Sequence, residues 1–110
     1  MPSKDLVAAS STPIVLGILA RGESYGYEIL QEVREASGGE LEWTDGMLYP
    51  LLHRLERKGL IRSRWETPKS GRRRKYYRLQ RKGKVELVAE KRRWTAVHGT
   101  LTRLWREARV

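Results

Sequence analysis

Apolar residues recur every three or four positions along Thr44–Ile61 (TDGMLYPLLHRLERKGLI), where Met47, Leu48, Leu51, Leu52 and Leu55 form one stripe. That period belongs to an α-helix with one buried side. Thr44 can cap this helix, and Asp45 stands where the helix dipole favours a carboxylate. Lys58 and Gly59 supply a stop. Tyr49, His53, Arg54 and Arg57 occupy the rest of the circumference, a face suited to an anionic partner. Pro50 removes an amide donor and crowds the carbonyl of Gly46, so a bent first turn or a delayed regular helix is expected.

Upstream, Leu6, Val7, Ile14, Val15, Ile18 and Leu19 predict a helix over Lys4–Ala20. Pro13 allows a second reading, in which the helix starts near Thr12 and Asp5–Ala9 forms a separate arm. Ser24 is the expected cap of a helix ending near Ser37, with Tyr25, Ile29, Leu30 and Val33 on its apolar face. Gly26 in its first turn implies either close approach of another backbone or fraying, and Gly38-Gly39 end the helix. Leu41 and Trp43 could anchor the approach to the next helix.

Beyond Gly59 the period shortens. Ile61–Trp65 and Arg74–Leu79 read as short strands, joined by a polar loop holding Pro68, Lys69, Ser70, Gly71, Arg72 and Arg73. This is a β-hairpin, and an isolated hairpin is marginal in water. Ile61, Trp65, Tyr77 and Leu79 are therefore expected to pack on the helices. Gln80–Arg109 reads as one long helix, with Gly83 and Gly99 as weak points. Leu87, Trp94 and Leu101 repeat at seven residues, and Val97, Leu104 and Trp105 widen the stripe. About thirty residues rising 1.5 Å each span roughly 45 Å, too long for so small a domain to cover. A second copy is the economical cover; the alternative is a monomer whose last helix folds back on the first.

Charge sharpens the picture. The chain has 110 residues, a formal charge of +10 and no cysteine, which excludes disulfides and thiolate metal sites. Thirteen Lys or Arg and one acid fall within Arg57–Lys84, while residues 1–56 are net acidic. Such focusing suggests a polyanionic partner. No run approaches twenty apolar residues, and the start lacks the basic region of a secretory signal, so a cytoplasmic location is the default expectation.

The order helix, helix, helix, strand, basic loop, strand, helix is a winged helix-turn-helix: mainly α with a small β-hairpin. Residues 1–79 would form the DNA-binding domain and residues 80–110 a C-terminal dimerisation helix. The third helix would enter the major groove, which admits one α-helix, and the wing would fix register on phosphates. The expected DNA-facing residues are Thr44, Gly46, Tyr49, His53, Arg54 and Arg57, with Lys69, Arg72, Arg73, Arg74 and Lys75 on the wing. Arg54 and Arg57 could instead pair with Glu56 and other local acids. The expected dimer residues are Leu87, Trp94, Val97, Leu101, Leu104 and Trp105. Trp43 and Trp65 are assigned to packing.

Three segments resemble the PadR-type transcriptional regulators, in the short form with one C-terminal helix: LGILARGESYGYEIL, DGMLYPLLHRLERKGLI and GRRRKYYRLQRKG. Gly26-Tyr27-Glu28, Leu48-Tyr49-Pro50, Leu55-Glu56 before Gly59-Leu60, and Tyr76-Tyr77-Arg78-Leu79 are jointly specific. Where the family usually has threonine this chain has Gln80, a poorer cap. The resemblance implies a homodimer that binds near-palindromic double-stranded DNA and represses. It also implies release by a small hydrophobic or aromatic effector, for which Trp94 occupies a suitable position; the alternative is that Trp94 only fills the dimer seam. No cofactor is expected.

An enzyme is disfavoured. His53 and His98 lie on different elements, and there is neither a cysteine nucleophile nor a glycine-rich phosphate motif. Glu28, Glu32 and Glu35 at helical spacing read as a solvated face rather than a metal cluster. The competing function is a winged helix serving as an architectural or protein-interaction module without an operator.

Overall fold

The computed structural model describes residues 3–109; Met1, Pro2 and Val110, at the ends of the two expected domains, lie outside the described residues. The elements are α1 (Lys4–Ala20), β1 (Ser24–Tyr25), α2 (Gly26–Ala36), α3 (Asp45–Arg57), β2 (Ile61–Glu66), β3 (Arg74–Leu79) and α4 (Arg81–Glu107). They form a mainly helical winged helix with a three-stranded antiparallel sheet in the order β1-β3-β2. Among the described residues, no helix is long and apolar enough to cross a membrane.

α1 is one helix from Lys4, not a helix beginning near Thr12. Ser3 caps it by accepting from the Leu6 amide, and Pro13 sits inside it. Val15, Leu16, Ile18 and Leu19 enter the core with Ile29 and Val33 of α2 and Leu48, Leu51, Leu52 and Leu55 of α3. Trp43 joins this cluster and Leu41 packs on it, so the run into α3 is anchored as its composition suggested. α3 is continuous through Pro50, and Thr44 caps it by accepting from the Met47 amide at 3.3 Å. Gly59, at φ 76°, ends it: the Leu60 amide donates to Leu55 O at 3.0 Å and the Gly59 amide to Glu56 O at 2.9 Å.

Two local readings are corrected. Ser24 does not cap α2; Ser24 and Tyr25 form β1, pairing with Tyr77 and Tyr76 of β3. Tyr25 holds the N-cap position with no side-chain capping bond, and the Ser24 hydroxyl donates to Glu28 Oε1 at 2.7 Å. Two residues of strand carry no alternation from which pairing could be read. Gly83 is not a weak point of α4 but a docking point. It is buried, and a Cβ there would overlap the carbonyl oxygen of Leu60. That carbonyl also accepts from the Gln80 amide at 2.9 Å. The start of α4 is thus fixed by the turn after α3, which compensates for a Gln80 side chain that makes no cap bond.

Strand parity explains how the hairpin sits. Ile61, Ser63 and Trp65 share a face with Lys75, Tyr77 and Leu79; Arg62, Arg64 and Glu66 share the other with Arg74, Tyr76 and Arg78. On the first face Ile61 and Tyr77 are buried, Leu79 packs on the core, and Ser63 donates its hydroxyl to Glu56 of α3 at 2.6 Å. Trp65, expected to pack on the helices, lies outside the core cluster and is 53% exposed.

Candidate nucleic-acid interface

The first charge-bearing surface is the exposed side of α3. Its core stripe turns Leu48, Leu51, Leu52 and Leu55 inward, which leaves Tyr49, His53 and Arg57 in a row at four-residue spacing. Tyr49 is fixed by a neighbour: its ring and hydroxyl lie over Gly26, and a Cβ there would overlap them. Gly26 therefore records close approach of a side chain, not of a backbone.

The second surface is the wing. Tyr49 and His53 of α3 and Arg72, Arg73, Arg74 and Lys75 of the hairpin line one groove of about 880 Å³. Tyr25, Gly26, Tyr27 and Trp65 complete much of its wall. Among the described residues no carboxylate lines it. Four cations thus line it together with aromatic hydroxyls and an imidazole, with no carboxylate in the lining. This is the donor set that recognises phosphate oxygens.

The wing arginines are ordered by aromatic rings. The Arg73 guanidinium lies 4.5 Å from the centre of the Trp65 ring, and that of Arg74 lies 4.4 Å from the centre of Tyr25. The Tyr76 side chain, by hydrogen bonding, holds the Arg74 pKa above the usual arginine range. Arg64, on the far face, is committed elsewhere: its Nε donates to Glu23 Oε2 at 2.8 Å and a second nitrogen to Glu66 Oε2 at 2.8 Å. Hydrogen bonding from Arg64 holds the Glu23 carboxyl below its ordinary value and keeps the guanidinium above its own. Among the paired strand positions, Lys75 shares the α3-facing side with Ser63 and Tyr77, whereas Arg74 shares the opposite side with Arg62, Arg64 and Arg78, where Glu66 pairs with Arg64.

Other expected DNA-facing residues lie outside the groove. Thr44 and Gly46 are exposed at the start of α3, Arg57 at its end, and Lys69 in the hairpin loop. Arg54 is turned toward α1, where it lines a separate cavity of about 380 Å³ with Lys4, Val7, Met47 and Pro50. Glu56 forms no ion pair with Arg54 or Arg57 among the described residues; its Oε2 accepts from both the hydroxyl and the amide of Ser63. Tyr25 and Trp65 were missed as wall residues. Their signal lay in the register of β3, which sequence spacing alone does not give.

α4 divides in two. Leu87 is buried in the core of its own chain, so its packing partner is intramolecular. Beyond it Val97, Leu101, Leu104 and Trp105 are exposed, Leu104 by 60% and Trp105 by 64%. Trp94 is half-buried, and its indole Nε1 donates to Glu90 Oε2 at 3.2 Å.

A model of the transcriptional regulator PadR-like family matches residues 15–89. The chain belongs to the PadR family. A PadR family transcription regulator from Clostridium difficile is 34% identical, with 87% of this chain and 98% of that one aligned and a TM-score of 0.78. A PadR-like transcriptional regulator from Bacillus cereus is 27% identical, over 96% and 100% of the two chains, with a TM-score of 0.83. An uncharacterised protein from Lysinibacillus sphaericus is 30% identical over 97 residues, 88% of this chain and 89% of its own. PadR-family proteins are transcriptional regulators rather than enzymes; they generally bind DNA and typically do so as dimers.

Proposed function

We propose that this PadR-family chain is a homodimeric repressor that recognises a near-palindromic duplex site. α3 enters the major groove, and the wing grips the flanking phosphates. One observation carries the reading: Tyr49 and His53 of α3 and Arg72–Lys75 of the wing line a single carboxylate-free groove. Thr44 and Gly46 at the start of α3 and Arg57 at its end extend the interface along the duplex. Lys69 adds charge at the wing tip. Arg54 contributes from the α1 side.

The second copy covers the stripe Trp94, Val97, Leu101, Leu104 and Trp105, whose apolar surface its own chain leaves largely open. Residues 80–110 then serve as the dimerisation segment and residues 1–79 as the DNA-binding domain. Leu87 supports the dimer indirectly, by fixing α4 to the body. Trp94 has its N–H satisfied within α4 and its ring in the stripe, which suits either seam packing or one wall of a site for a small hydrophobic or aromatic effector.

Selection of bound duplexes from a random pool tests the central claim. A repressor enriches a two-fold symmetric site whose half-sites lie about one helical turn, ~34 Å, apart. An architectural module enriches no sequence. Replacing Arg72, Arg73 and Arg74 with alanine should weaken binding to every sequence. It should also flatten the salt dependence by about 0.9 for each phosphate no longer neutralised. Unchanged affinity and slope would remove the wing from the interface.

A further inference from the structure

The three consecutive arginines of the wing are not equivalent. Trp65 lies on the α3-facing side of the hairpin, directly opposite Lys75 in the ladder. It lies outside the core cluster and is 53% exposed. Its ring is nevertheless occupied. Arg73 lies 4.5 Å from its centre, and the Lys75 ammonium 5.8 Å. Arg74 is seated separately, on Tyr25 of β1. Arg72 has no aromatic seat among the described residues.

The geometry points to Trp65 as a positioning residue of the wing, seating Arg73 so that its guanidinium meets a phosphate in a preset orientation. This rests on the DNA-binding reading above. An arginine side chain loses rotamer freedom when it is fixed on a ligand, and a planar ring that already holds it lowers that cost. A guanidinium held against a ring by its flat face keeps its edge and N–H donors open to a phosphate. Trp65 itself bears no charge, so its contribution to phosphate binding passes through Arg73.

The test uses the full chain and a short mixed-sequence duplex, with affinity measured over a range of salt concentrations. Arg73→Ala should flatten the log–log salt slope by about 0.9, the share of one phosphate. Trp65→Ala removes no charge, yet should flatten part of the same slope and weaken binding about two- to fivefold, the range of an exposed cation–π pair. Trp65→Tyr, which keeps a flat aromatic face, should restore both. The double variant Trp65→Ala/Arg73→Ala should lose less than the two single losses added together, any loss beyond Arg73→Ala being the share of Lys75, which the same ring holds.

In the DNA-free protein the Arg73 δ-methylene protons should resonate upfield in wild type and Trp65→Tyr, and not in Trp65→Ala. Losses that add in the double variant, with the slope unchanged in Trp65→Ala, would mean that Trp65 touches DNA itself; they would overturn the positioning role. So would wild-type affinity in Trp65→Ala, or Arg73 protons insensitive to the indole. A wild type that binds no duplex would overturn the DNA reading and the phosphate role together. The proton shifts, recorded without DNA, tell that failure apart from the absence of a Trp65–Arg73 pair.

Discussion

α3 and α4 are both amphipathic helices, and they use their apolar stripes in opposite ways. α3 sends Leu48, Leu51, Leu52 and Leu55 into its own chain, each at most 3% exposed. α4 buries only Gly83 and Leu87, near its start. With 27 residues it runs for about 40 Å in a molecule whose longest extent is 57 Å, and most of its remaining stripe meets nothing. A stripe in a sequence therefore specifies an amphipathic face, without specifying whether its own chain covers it.

Substitutions along the two stripes should separate these cases. The largest effect belongs to α3. Leu52 is fully buried among side chains of several elements, so Leu52→Ala should cost about 2–5 kcal/mol in chemical denaturation. A cost below about 1 kcal/mol would mean that the core closes over the gap. The next effect belongs to the distal half of α4. Leu101→Ala and Leu104→Ala remove little packing within the protomer, but each should weaken the proposed dimer by tenfold or more if it lies at the centre of the seam. Sedimentation across a dilution series reads this directly. Wild type that sediments as a monomer at micromolar concentration would leave the stripe without its proposed partner.

Glycines in α4 give a finer contrast. Gly83→Ala drives a methyl group into the Leu60 carbonyl and should destabilise by about 1–3 kcal/mol, despite the better helix propensity of alanine. Gly99→Ala meets only the flexible end of Arg103 at 3.4 Å and should stabilise α4 by up to ~1 kcal/mol. Thermal unfolding of the two variants at matched protein concentration should move in opposite directions. The concentration must be matched because dimer stability depends on it.

These contrasts mark what could be read from the chain. The helices, the hairpin strands and the basic tip were legible because period, capping residues and charge are local signals. Thr44 as a cap and Gly59 as a stop belong to this class. The same is true of the match between Arg74–Leu79 and β3. What stayed illegible depends on distance. β1 exists only because Ser24 and Tyr25 meet β3, some fifty residues later. Gly26 and Gly83 each admit a neighbour from another element, and nothing adjacent in sequence says which. Trp65 falls on the core-facing parity of its strand yet lies outside the core, which alternation alone does not tell. In the candidate site, the wing arginines could be read from composition, whereas the seats that order them could not.

The smallest expected effect concerns the floor of the groove. Tyr77 is 1% exposed, and its hydroxyl has no hydrogen-bond partner among the described residues. Burial pushes its pKa from 10.0 up to about 12, with Glu56 and Tyr49 adding to the rise. A phenol whose pKa is higher in the folded chain favours the folded state while protonated. That stability is fully present below pH 10 and drains away as the pH rises toward 12. Tyr77→Phe removes the ionising group and an unpaired polar atom together. At neutral pH it should be neutral or slightly stabilising, since no hydrogen bond is lost and a buried unpaired oxygen is relieved. Between pH 10 and 12 its stability should fall less steeply than that of wild type. Parallel profiles for wild type and Tyr77→Phe would show that the Tyr77 oxygen finds a partner in solution. The groove floor would then be wet rather than sealed, which bears on how closely a phosphate strand can approach it.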